Sequence, residues 1–206
     1  MDATEFTEAV REDAKTELSR IGSSKSLYAD TRGEMEEDAV LAAAADGFAA
    51  AADVFESWAD DDWAAADFFA DAAATERDHY ETAAGKLDDH EPGDVPALYD
   101  YLAGLDEPVE RLGGVVGHAA VADKKTDQLV GFYVGQASPQ TSQVFREVGD
   151  DIDDQEVRAA ELLESVCEGD DDWAAAREAA TGAISAAYDE YFETLEDLGV
   201  NPKPVC

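Results

Sequence analysis

Alternation of apolar and polar residues at the strand period is almost absent from this chain. Apolar residues instead recur three and four apart over long stretches, the spacing of one helix face. Read this way, the sequence predicts helices over residues 3–21, 34–59, 62–89, 94–104, 107–136, 140–167 and 171–198. The breaks are short: Gly22-Ser23-Ser24, Asp60-Asp61, Glu91-Pro92-Gly93, Asp106, Ala137-Ser138-Pro139 and Gly169-Asp170. Links of this length turn neighbouring helices antiparallel. The expectation is an all-α fold assembled from helical hairpins, as a single helical domain over residues 1–206.

Charge then limits what such a fold can meet. The chain carries 50 Asp+Glu against 14 Lys+Arg, a formal net charge of -36. Its 45% hydrophobic and 9% aromatic residues are enough for a core, which argues against disorder. The acid is spread along the whole chain. This is the composition expected of a cytoplasmic protein from an extreme halophile, an archaeon, where molar salt shortens the Debye length to about 3 Å and screens the self-repulsion. Nucleic-acid binding begins with phosphate neutralisation by Lys and Arg. Arg20, Lys25 and Arg32, and the pair Lys124-Lys125, are flanked by acids and form no basic stripe. Direct nucleic-acid binding is therefore not expected, and neither is an anionic membrane surface. No run approaches the ~20 apolar residues of a bilayer span, and the acidic start is not a signal peptide. Cys167 and Cys206 form no Cys-x-x-Cys pair and no disulfide framework. Cys167 is expected in the core and Cys206, the last residue, in solvent.

The string Asp-Asp-Asp-Trp-Ala-Ala-Ala occurs at 60–66 and again at 170–176. Carrying that offset onward sets Glu76 against Ala186 and His79 against Asp189, so the likeness ends with the alanines. The string reads as one helix start used twice: acids cap and favour the positive end of the helix dipole, Trp anchors the first turn, and alanines continue it. A second self-similarity runs at an offset of 76. Phe69 and Glu76-Arg77-Asp78-His79 align with Phe145 and Ile152-Asp153-Asp154-Gln155. Each run lies on the second arm of a hairpin whose first arm is helix 34–59 or 107–136.

At i, i+3 on a helix, Glu76 and His79 point the same way and can share one metal. Glu76 falls on a stripe with Phe69, Ala73, Tyr80 and Leu87, and His79 on the adjoining stripe with Phe68 and Ala72. A buried carboxylate needs a partner, a proton or a metal. Three readings stay open for the pair: a site for one metal ion, a metal-free buried pair, or exposed residues. No Ser-His-Asp or Cys-His order, Walker motif or dinucleotide fingerprint is present, at Ser23-Ser24 and Gly113-Gly114 included. No catalytic or organic-cofactor-binding residue is assigned. His90, beside Asp88, Asp89 and Glu91, reads as a cation at a helix end.

The tandem hairpins and the run from Phe69 to His79 resemble the rubrerythrin branch of the ferritin-like superfamily, over residues 34–167. The resemblance implies a four-helix bundle of two tandem hairpins, with residues 1–22 and 170–198 as accessory helices. It also implies a dinuclear site with a Glu from each first arm and a Glu-x-x-His from each second arm. Glu76 and His79 match. Ile152 and Gln155 do not. The first-arm places fall on Leu41 to Ala43 and near Gly117 and His118. Asp46 and Asp123 read as surface acids. The metal ligands carried forward are Glu76, His79 and His118, for iron or another divalent transition metal in an oxidative-stress or iron-handling role, or for no metal. The Cys-x-x-Cys module that full rubrerythrins add is missing. The alternative is a non-enzymatic regulatory bundle acting through protein partners, in line with the transcription-antitermination label of similar haloarchaeal chains. The apolar faces of the terminal helices, Phe6, Val10, Leu18 and Ile21, and Trp173, Ile184, Tyr188, Phe192 and Leu195, pack on the bundle or cover a second subunit in a homodimer.

Overall fold

The structure, a computed structural model, describes residues 1–59, 63 and 65–202. Among these residues it is all helical, with no strand. The elements are α1 (Ala3–Asp13), α2 (Lys15–Ile21), α3 (Ser26–Asp30), α4 (Glu37–Ala59), α5 (Ala66–Ala84), α6 (Ala97–Ala103), α7 (Pro108–Gly135), α8 (Pro139–Val166) and α9 (Asp170–Asp197). No helix among them is long and apolar enough to cross a membrane.

Local chemistry sets the helix starts. Asp2 and Glu5 form a capping box on α1, and Glu107 and Glu110 form one on α7. Pro108 and Pro139 open α7 and α8, where a missing N–H has no intrahelical partner to lose. The predicted helix 3–21 is interrupted at Ala14, so α1 packs on α8 and α9 while α2 packs on α9 and α7. The short helix α3 lies where only a break and a link were expected. The helix predicted over 171–198 starts one residue earlier, at Asp170; its N-cap is Gly169 and no side chain caps it. Asp172 reaches back instead, accepting the Glu168 N–H at 2.7 Å. At the first copy of the string, Asp60–Asp62 and Ala64 lie outside the described residues, as does Cys206. Trp63 packs its ring against Phe69, with centroids 5.4 Å apart.

Helices α4 and α5 pack as one hairpin, and α7 and α8 as another. Helix α7 is the centre of the second half. Every residue from Leu112 to Val121 is buried, the pattern of a helix covered all round. Its second neighbour is α9, the last helix, which packs along it. Gly113 and Gly117, one turn apart on α7, let the α9 backbone come in contact. A Cβ at either would fall on the carbonyl oxygen of Ala176 or Ala180. Trp173, Ile184 and Leu195 of the last helix are buried within the chain, and Tyr188 and Phe192 are half-buried. The first helices are also held within the chain, where Arg11 grips Glu156 of α8 with both guanidinium nitrogens at 2.9–3.1 Å.

Candidate functional site: a carboxylate between two imidazoles

The apolar core divides into two main clusters. One gathers Phe55, Phe69, Val116 and Leu163 with the terminal helices. The other gathers Phe48, Ala83, Leu129 and Ile152. Where they meet, three helices each contribute a polar side chain. Helix α5 supplies Glu76 and His79, α7 supplies His118, and α8 supplies Gln155. All are buried, Glu76 and His118 to 1% exposure. The reading of Glu76 and His79 as exposed residues is thereby excluded, and all three sequence-predicted site residues come together.

Glu76 is the hub. Gln155 donates its amide Nε2 to Glu76 Oε1 at 3.0 Å. His118 Nε2 lies 3.8 Å from the same oxygen, and His79 Nδ1 lies 3.5 Å from the other, Oε2. These imidazole distances exceed a good hydrogen bond, so the hold is mainly electrostatic. On its outer side, His79 Nε2 faces Asp151 Oδ2 at 3.0 Å. Aromatic walls close the rest. Phe48 lies against His79 with ring centroids 5.3 Å apart. Phe55 meets His118 edge-on at 5.3 Å, and Tyr99 lies 5.7 Å from it.

The electrostatics follow from this packing. Burial alone would push the Glu76 carboxyl up, but His118 and His79 outweigh it and hold it down to about 2. Burial alone would lower His79, but the carboxylates of Glu76 and Asp151 raise it above the ordinary imidazole value. The centre is built to keep Glu76 ionised inside the core.

Sequence reasoning missed Gln155 as a member of the centre. It had set Gln155 at the place matching His79 and found a mismatch. The signal was there: an amide 79 residues from Glu76, at the place the offset of 76 makes equivalent to the imidazole. Asp46 also differs from its reading as a surface acid. It accepts the Gly93 N–H at 2.9 Å and faces His90 Nε2 at 3.2 Å, pinning the link before α6 to α4. His90 is therefore mostly buried beside Asp46, six residues beyond the end of α5. Asp123 pairs with Lys124 at 2.8 Å.

A six-donor dinuclear centre does not fit these residues. Ile152 is a buried hydrocarbon where a carboxylate is required, Leu41 is another on the first arm, and Gln155 turns a donor toward Glu76. Among the described residues no group of three or more His, Cys, Asp and Glu is arranged to hold a metal ion. The two imidazoles address opposite oxygens of Glu76. Comparison with known protein families, with curated proteins and with solved structures finds no match for the chain. Fold and site together define an all-helical protein with a buried carboxylate–imidazole–amide centre.

Proposed function

We propose that this protein is a ferritin-like, rubrerythrin-related bundle of the halophilic cytoplasm that works without a dinuclear metal centre, as a non-enzymatic interaction protein. The observation that carries this reading is the pairing of Glu76 with Gln155. A carboxylate that would bridge metals is instead satisfied by an amide from the matching place on the other hairpin. Phe48 and Phe55 pack on the two imidazoles, and Ile152 is a buried hydrocarbon at the place of the second carboxylate, which supports the reading without a dinuclear centre. The partners of such a bundle are proteins, because 50 acidic residues against 14 basic ones repel phosphate chains. A regulatory role of the antitermination type fits within this reading only through protein contacts. Pull-down in molar salt checks that form of it. Recovery of transcription components supports it, and their absence counts against it.

One observation favours a second reading, a single transition-metal ion on Glu76, His79 and His118. Both ring nitrogens of His118 and Nδ1 of His79 are buried without a hydrogen-bond partner, and buried imidazole nitrogens ordinarily have one. Two imidazoles and one carboxylate are donors that suit iron, manganese or zinc.

Elemental analysis separates the two readings. The protein is purified in molar KCl without an affinity tag, beside the Glu76→Ala/His79→Ala double variant. The metal-free reading expects no stoichiometric iron, manganese or zinc in either. Metal near one ion per chain that disappears in the double variant overturns it in favour of the ion.

A further inference from the structure

A cavity of about 280 Å³ opens between α3, α4, α6, α7 and α9, away from Glu76 but sharing walls with its centre. This is close to the lower end of the ~300–1,000 Å³ range of small-molecule sites. Phe48 and Tyr99 form its inner wall, and their other faces lie against His79 and His118. Leu98 and Leu129 add further apolar surface.

Two polar groups inside it lack partners. Tyr99 is 7% exposed, and its hydroxyl bonds to no group among the described residues. That hydroxyl lies beside Gly47, another residue of the wall, 3.8 Å from where a Cβ would stand. Burial, with Glu76, Asp30 and Glu190 nearby, raises its pKa, so it stays a neutral hydroxyl. Thr126 is 5% exposed, lines the same cavity, and its hydroxyl is likewise without a partner among the described residues. Neither oxygen is sealed in the core, so both hydroxyls are open to the cavity and available to a group that enters it.

The walls also select by charge. Asp30, Asp46, Asp94 and Glu190 face only Arg32 and Lys125. Asp30 is taken by Lys125 at 2.7 Å, and Asp46 by Gly93 and His90. Glu190 makes no ion pair among the described residues and accepts only the Ala97 N–H, at 3.3 Å. Lys125 and Arg32 act on Glu190 only from a distance. A half-buried carboxylate with no ion pair, in a wall where four acids face two bases, beside two open hydroxyls and an apolar surface, is a receptor for an ammonium group on an apolar body.

We propose that this cavity binds a small amphipathic amine, its apolar body against Phe48, Leu98 and Leu129 and its ammonium on Glu190, with the Tyr99 and Thr126 hydroxyls as further partners. The proposal goes beyond the metal question and holds under either answer to it. It gives the bundle a small-molecule input, because a ligand on Phe48 and Tyr99 touches the rings that wall in His79 and His118.

The test is isothermal titration calorimetry in molar KCl at neutral pH, with 2-phenylethylamine as probe and 3-phenylpropionate and 2-phenylethanol as its acidic and neutral counterparts. Saturable binding of the amine is expected, with affinity at least about tenfold above either counterpart. Glu190→Gln is expected to remove that preference. Ala122→Leu, which fills the cavity from α7, is expected to abolish binding, with circular dichroism and the unfolding midpoint confirming that it folds. If Ala122→Leu fails to fold, Tyr99→Phe takes its place and is expected to weaken the amine several-fold. Equal binding of the three probes, no binding of the amine at millimolar concentration, or binding unchanged in Glu190→Gln would overturn the proposal.

Discussion

The two hairpins place different chemistry at equivalent positions. On α5 the places are held by Glu76 and His79, and on α8 by Ile152 and Gln155. One arm brings a charge into the core. The other brings a hydrocarbon and a neutral amide, and the amide bonds to the charge. The difference shows how a buried carboxylate is kept. A second carboxylate would add repulsion at the cost of further desolvation, whereas an amide and two imidazoles neutralise the first without adding negative charge. The asymmetry also sits where the two apolar clusters meet, so the polar contacts bridge parts of the core that hydrocarbon packing joins only partly.

That comparison can be broken most severely by making the arms alike. Ile152→Glu sets a second carboxylate near Glu76 in a place that is 1% exposed. It should cost about 4 kcal/mol or more in metal-free buffer, read by denaturant unfolding in molar KCl. Stability equal to the parent would mean that water reaches the position of Ile152. Removing the hub comes next. Glu76→Ala strands two imidazoles and an amide and should cost about 3–5 kcal/mol. A loss under about 1 kcal/mol would mean that Glu76 is not the ionised partner. Gln155→Ala removes one hydrogen bond to the buried carboxylate and should cost about 1–3 kcal/mol.

The pH dependence sharpens the same contrast. The folded pKa of His79 is raised above the unfolded value of 6.5. Its pairing therefore contributes fully below that value and is lost as pH rises through the folded pKa. The unfolding midpoint of the parent should fall more than that of His79→Gln as pH rises from about 6 to about 9. Parallel curves would show that Glu76, Asp151, His118 and Gln155 around the ring leave its pKa unshifted. The smallest effect belongs to Asp151→Asn. Asp151 is 53% exposed, so loss of its contact with His79 should cost between about 0 and 1 kcal/mol, and less in higher salt.

Much of the helical layout was legible because apolar periodicity and short breaks are local signals. The ends of α7, α8 and α9 fall within one residue of the predicted spans. The kink at Ala14 and the helix at Ser26–Asp30 were not legible, since both depend on what the segment packs against rather than on its own propensity. Within the site, Glu76 and His79 could be found from i, i+3 spacing on an apolar stripe. His118 was found only through the ligand place on the first arm that the family resemblance implies. Gln155 was passed over, because an amide has meaning only beside the group it bonds. Gly113 and Gly117 carried no legible role either. Their use emerges from the close approach of α9, a contact between residues far apart in sequence.

By itself the sequence determined an all-helical chain with an acidic surface, two similar hairpins, and a carboxylate and an imidazole on a core-facing stripe. These follow from periodicity, charge and residue spacing, which act over one or two turns. Only the tertiary structure decided that α9 packs along α7, that Gln155 is the amide on Glu76, and that the two imidazoles take opposite oxygens of that carboxylate. Those outcomes depend on distances between helices of a few ångströms, and side-chain packing sets such distances only when all the helices are in place.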